Sequence, residues 1–373
     1  MSKQKKGIPI TIGIASVWFG AHCGPGTASG RQTATYYNEF GQIGLLTPIL
    51  AMALLGICIY LAIEYARLTK TYTFKEWANK FFSPHEKVFA NIFEFTYIFT
   101  VLMVLGSCIA TGASALNQYL SIPMIMGTFI IAGATLILAI FGAALVRASS
   151  SIMTFMILLA LGVIIVTALV STKGDFTGNY TKMAFATPSL FAAIWSALIY
   201  AGFQATGNIA NTVSVAEGLQ SRKESVKAAI YGVILNAALI FGIALILYAY
   251  PESIAEALPN YYIAEVLGQP LLLFLYVIVL LLAVLTTTVG FAFAVAARYA
   301  PLIKGMENGV KKDALITTIM LILCIGVSTF GLDKIVRVGF SYLGIVCFIL
   351  VIIPVLFVGV IKLKRLKKET EHS

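Results

Sequence analysis

The sequence predicts an all-α membrane protein of ten transmembrane helices, arranged as two five-helix halves. Three observations carry this reading. Of the 373 residues, 59% are hydrophobic and 11% are charged. The charges gather between apolar runs of about 20 residues or more, the length a helix needs to cross a bilayer. Ten such runs can be marked, at 8–37, 40–66, 88–118, 124–146, 149–171, 188–216, 225–250, 267–299, 313–331 and 338–361. The first and the sixth are interrupted by small and polar residues at corresponding places in the two halves, 1–186 and 187–373. Paired interruptions of this kind mark an inverted repeat with a binding site at the midplane.

Charge sets the orientation. With the N-terminus inside, all but Arg31, Lys173, Lys182, Lys334 and Arg337 of the 26 basic residues fall in inside loops and tails. The positive-inside rule then puts both termini in the cytoplasm of a multi-pass plasma-membrane protein. The net charge of +10 reports this topology and gives no reason to expect a nucleic-acid partner. Lys3, Lys5 and Lys6 before an apolar run resemble a signal peptide, but the run continues too long and is read as a retained helix. Cys23, Cys58, Cys108, Cys324 and Cys347 stand singly in apolar segments and read as structural thiols.

The first run contains Gly20-Ala-His-Cys-Gly-Pro-Gly-Thr-Ala-Ser-Gly30-Arg31. Proline removes a backbone hydrogen bond and clashes with the preceding turn, and each glycine weakens a helix by about 1 kcal/mol. Broken backbone survives at membrane depth only inside protein or beside a wet cavity, so a break here is a candidate binding site. The sixth run carries Tyr200, Gly202, Phe203, Gln204, Gly207 and Asn208, which predicts a second break. Glycine-mediated helix packing would explain the glycines of both runs but not Pro25, His22, Gln204 and Asn208. The spacing Gly24-x-Gly26-x-x-x-Gly30 is not a dinucleotide fingerprint, because no strand precedes it.

These residues resemble a known family. Gly20-x-x-Cys23-Gly-Pro-Gly26 followed by Ala28-Ser29-Gly30 is similar to the start of YkvI-like bacterial membrane proteins. Those are distant members of the amino acid–polyamine–cation superfamily, whose reference fold is that of the leucine transporter. The resemblance spans nearly the whole chain, although its motif is short. It implies a sodium site made by the carbonyls of Gly20, Cys23 and Ala283 with the hydroxyls of Thr286 and Thr287. A hard cation wants such oxygens. It also implies an outer gate between Arg31 and Asp333, with Glu64 bracing the broken helices or pairing with Arg67. The fifth run lacks the lysine that replaces sodium in some relatives. Pro25 departs from the pattern, since it has no N–H for a substrate carboxylate, which leaves Gly26, Thr27 and Ala28 as donors. Thr27 stands where a second sodium site would have asparagine, with Asn236 a candidate ligand there.

The expected activity is sodium-coupled symport of a small zwitterion, an amino acid or related amine, by alternating access. The substrate would meet His22, Gly24, Gly26, Thr27, Ser107, Thr111, Tyr200, Gly202, Phe203 and Gln204. The alternatives are proton coupling or exchange through His22, and a non-transporting membrane sensor with the same site. Na+ is expected as coupling ion, with H+ as its rival, and no other cofactor. An enzyme is not expected: besides His22 there are only His85 and His372, and no carboxylate cluster supplies acid–base chemistry.

Overall fold

The computed structural model describes residues 9–182, 189–303 and 309–371. Lys3, Lys5, Lys6, Lys304, His372 and the expected junction of the halves at 186–187 lie outside the described residues. The described chain is helical. The first run breaks as expected: α1 (Ile10–His22), α2 (Pro25–Ala28) and α3 (Arg31–Tyr36) follow one another, with Gly24 extended before Pro25 and Gly30 at φ 84° between the short helices. A 3-10 stretch, Asn38–Leu45, leads to α4 (Thr47–Thr69), whose start is set by Pro48 in its first turn. The amphipathic α5 (Phe74–Phe82) follows, capped by the Thr73 hydroxyl on the Glu76 amide, and then α6 (Glu86–Leu120).

The loop expected at 147–148 is absent. α7 (Met124–Ile137) passes through a π-helical stretch, Leu138–Gly142, into α8 (Ala143–Val170), so the irregularity falls earlier than the sequence suggested. Ala143, Ala144 and Ala148 are strong helix formers and carry the helix past Arg147. After α9 (Phe176–Lys182) come α10 (Leu190–Ser214), α11 (Arg222–Ala249), α12 (Pro259–Leu267), α13 (Pro270–Tyr299) and α14 (Val310–Ser328). The last run is α15 (Leu332–Lys334), α16 (Ser341–Cys347) and α17 (Ile353–Glu371), joined by π-helical turns at Ile335–Phe340 and Phe348–Ile352. Among the described residues, 6 helical stretches are long and apolar enough to cross a membrane, and shorter apolar helices accompany them.

One expectation is overturned. α10 runs unbroken through Gly202, Phe203, Gln204, Gly207 and Asn208. Its polar side chains bond back onto their own turns: Asn208 Nδ2 donates to the Gln204 carbonyl (2.7 Å) and the Thr212 hydroxyl to the Asn208 carbonyl (2.7 Å). Satisfied this way, they need no unwinding. Gly202 serves packing, since a Cβ there would fall 2.1 Å from the Gly344 carbonyl oxygen on α16.

α1, α4, α10 and α11 pack on one another as a bundle, while α6, α7, α13 and α14 form a second packed group. The bundle closes through small residues facing large ones. Trp18 of α1 is buried against Gly232 of α11, where a Cβ would sit 2.0 Å from the indole.

Candidate functional site

The break in the first run follows from its local chemistry. Cys23 donates its amide to Phe19, ending α1, and Pro25 has no N–H to offer the Ala21 carbonyl. Gly20, Ala21 and Cys23 are left with carbonyls that no described backbone amide satisfies. The His22 carbonyl lies 3.1 Å from the Thr27 hydroxyl. The amides of Thr27 and Ala28 both turn back to the Gly24 carbonyl, at 3.0 and 2.9 Å. They are therefore not free for a substrate, contrary to expectation, and the Gly26 amide is the donor that remains.

A cavity of about 1350 Å³ runs along this break. Gly20, His22, Gly24 and Gly26 face it from the first run, Ser107 from α6, Phe203, Gln204 and Asn208 from α10, and Thr286 and Thr287 from α13. It reaches the pole where Lys75, Asn79, Asn91 and Arg298 are exposed, and where Glu94 accepts from Arg298 and Tyr299. Thr27, Thr111, Tyr200, Gly202, Cys23 and Ala283 are buried behind its wall. Ser107 and Thr111 spend their hydroxyls on their own helix, at the Val104 and Ser107 carbonyls. Thr286 does likewise at Leu282 and Ala283, whereas the Thr287 hydroxyl has no described protein partner.

Behind the wall lies a polar network that ties the first run to α10. His22 Nε2 lies 2.8 Å from the Tyr200 hydroxyl. The same hydroxyl is 3.3 Å from both Gln32 Oε1 and Gln204 Nε2, and Gln32 Oε1 also accepts from the Thr27 hydroxyl at 2.9 Å. The ring of Tyr200 packs edge-on to His22, Tyr36 and Phe203, and Phe203 stacks on Phe340 with centroids 4.1 Å apart.

The opposite pole is sealed. Arg31, 2% exposed, donates to the Ile254 and Glu256 carbonyls (2.8 and 3.1 Å), to Thr35, and to Glu39 (3.2 Å), with Asp333 at 3.5 Å. Arg337 joins Glu39 (2.6 Å) to Asp333 (3.5 Å). The expected pairing of Arg31 with Asp333 is present, but Glu39 and the loop carbonyls lie closer. Beneath this layer Tyr36 and Tyr37 each pack on Tyr200 at 5.2 Å between centroids. Glu64 binds Arg67 (2.6 Å) and accepts from Ser225 of α11 (2.7 Å), so the salt bridge is made, while the second bond ties α4 to α11 and not to the first run or α10. Asn236 lies beside His22 without a bond to Thr27.

Sequence reasoning missed Gln32, Glu39 and Phe340. A signal existed for the first two: a glutamine and a glutamate just past a broken span are costly in a membrane unless used. Phe340 carried none, because an aromatic residue in an apolar run is indistinguishable from packing.

No protein-family model matches the sequence, and no curated protein matches it. Solved structures do. A Na+-coupled sialic acid symporter in a substrate-bound outward-open state superposes with TM-score 0.61 at 14% identity, covering 95% of this chain and 90% of its own. MhsT in complex with L-phenylalanine gives 0.61 at 16% identity, covering 90% and 87%. The manganese transporter of Eremococcus coleocola gives 0.55 at 13%, covering 90% and 76%. All three are transporters of the leucine-transporter fold, and the likeness gives this chain that fold. None of the three is an enzyme.

Proposed function

We propose that the chain is a sodium-coupled secondary transporter of the amino acid–polyamine–cation superfamily that moves a small zwitterion. In this reading ten spanning segments form two inverted halves, 1–186 and 187–373, with both termini in the cytoplasm. The observation that carries it is the asymmetry of the cavity. It extends from the break at Gly24-Pro25 to the pole of Lys75 and Arg298, while Arg31, Glu39, Asp333 and Arg337 close the other pole. A permanent pore would need no such seal. A site open to one side at a time is the requirement of alternating access.

The positive-inside rule assigns the open pole to the cytoplasm, so the state described is inward-facing. Rocking of α1, α4, α10 and α11 against the remaining helices would open the Arg31 pole. Sodium coupling is supported by oxygens on two walls of one cavity: the unpaired carbonyl at Gly20 on one side, with that of Cys23 buried behind it, and Thr286 and Thr287 on the other. Sodium asks for a few such neutral oxygens, and the C-terminal end of α1 adds a favourable dipole. Bound ion and substrate must each favour closure if they are to move together.

A zwitterionic substrate fits the lining. His22, Gln204, Asn208, Ser107 and Phe203 offer neutral polar and aromatic contacts, and the acidic Glu94 sits at the mouth, paired with Arg298. Among the described residues no group of His, Cys, Asp and Glu gathers that would hold a metal cargo. Two neighbours are named for sialic acid and L-phenylalanine, both of which carry a carboxylate.

Flux of amino acids into proteoliposomes, with sodium against choline, tests the reading. Uptake that requires sodium is the expected result, and no flux under any gradient would overturn it. Proton coupling is the second reading, favoured by the His22–Tyr200 hydrogen bond. Uptake that survives choline but follows an imposed pH gradient would select it.

A further inference from the structure

Gln32 was not among the expected site residues, yet it reaches the cavity and is 5% exposed. Its carboxamide is held by one end. Oε1 accepts from the Thr27 hydroxyl at 2.9 Å and from the Tyr200 hydroxyl at 3.3 Å. The other end, Nε2, lies over Gly26: a Cβ there would sit 2.5 Å from it. No hydrogen bond joins Nε2 to another described residue, and Gln32 lines the cavity. Two N–H groups turned into a cavity are free to donate to a molecule bound there.

We infer that Gln32 is the carboxylate-recognising residue of the substrate site, donating from Nε2 to the substrate's anionic end beside Gly26. This rests on the transport reading above and sharpens it to substrates bearing a carboxylate. The inference accounts for Pro25, which has no N–H, since an amide from a turn later takes over the missing donation. It also gives Tyr200 and Thr27 a role behind the wall: they aim Gln32 without touching substrate. A carboxylate is the favoured acceptor because bonds to an ionised oxygen are shorter and stronger than neutral ones. The acidic residue lining the cavity, Glu94, is occupied by Arg298 at the mouth and offers Gln32 no partner.

The test uses the full-length chain in proteoliposomes, with proteinogenic L-amino acids each paired with its decarboxylated amine. Gln32→Glu keeps the shape but turns an acceptor to the cavity, and Gln32→Leu removes both donors. Uptake of the amino acid accepted by the wild type should weaken by about 10-fold or more in both variants, the loss expected for a hydrogen bond to a charged group. The amine, which lacks the carboxylate, should gain on the amino acid in Gln32→Glu. Because this ratio is read within one variant, a lower yield of folded protein does not affect it. An unchanged ratio beside normal wild-type uptake overturns the Gln32 assignment alone. Absence of wild-type uptake for every pair overturns the transport reading, and the assignment with it.

Discussion

His22 and Tyr200, 178 residues apart in sequence, meet at 2.8 Å between ring nitrogen and hydroxyl. This contact joins the end of α1 to the middle of α10, so the broken helix and its unbroken partner share one polar network. Removing the hydroxyl by Tyr200→Phe strands His22 Nε2 and loosens Gln32 and Gln204 together. A buried polar group left unpaired costs about 1–3 kcal/mol. The variant should melt earlier in a thermal-shift assay and bind substrate more weakly, whereas an unaltered melting temperature and affinity would show that the network is dispensable.

The glycines of α10 should separate by position. Gly202→Ala pushes a methyl to within 2.1 Å of the Gly344 carbonyl, in rigid backbone, and should cost at least about 1–3 kcal/mol as overpacking. Gly207→Ala meets nothing within 4 Å and should be tolerated or mildly stabilising, as alanine favours the helix by about 1 kcal/mol. Monodisperse yield after detergent extraction is the readout, and equal yields would contradict the packing described for Gly202.

The sealed pole should depend on Arg31 far more than on Asp333. Arg31 is buried, and Arg31→Ala leaves the Ile254 and Glu256 carbonyls without that donor, a loss of about 1–3 kcal/mol for each acceptor left unpaired. Asp333 is 48% exposed and Glu39 remains in place after Asp333→Asn, so that change should cost under about 1 kcal/mol. Labelling of a cysteine introduced at Tyr37 from the Arg31 side should rise in Arg31→Ala and stay near background in Asp333→Asn. The reverse order would make Asp333 the principal latch.

Sodium dependence should respond to Thr287 before Thr286. The Thr287 hydroxyl faces the cavity unpaired, while Thr286 is committed to the Leu282 and Ala283 carbonyls. Thr287→Ala should raise the sodium concentration for half-maximal uptake about 10-fold, the loss of one oxygen ligand to a cation. Thr286→Ala should raise it less. If neither variant shifts the sodium curve, the α13 wall is not the ion site.

Much of this protein was legible in its chain order. Runs of about 20 apolar residues can hardly be anything but membrane spans, and Gly24-Pro25-Gly26 had to break a helix because proline lacks the N–H that the Ala21 carbonyl needs. The basic loops gave the expected orientation, and Arg31, Asp333, Glu64, His22 and Gln204 were recognisable as polar groups too costly to bury idly.

Tertiary structure decided the rest. Gln204 and Asn208 looked like a second break, but whether a polar side chain unwinds its helix depends on whether it can bond back to its own turn, and here it does. Gly202 looked like part of that break and is a packing contact, because its neighbour Gly344 lies 142 residues away along the chain and only the folded bundle brings them together. Gln32 and Glu39 gained their partners across the break and across the bundle, at distances no spacing rule encodes. Local sequence dictates where backbone bonds fail. Only packing determines which side chains inherit the space that failure opens.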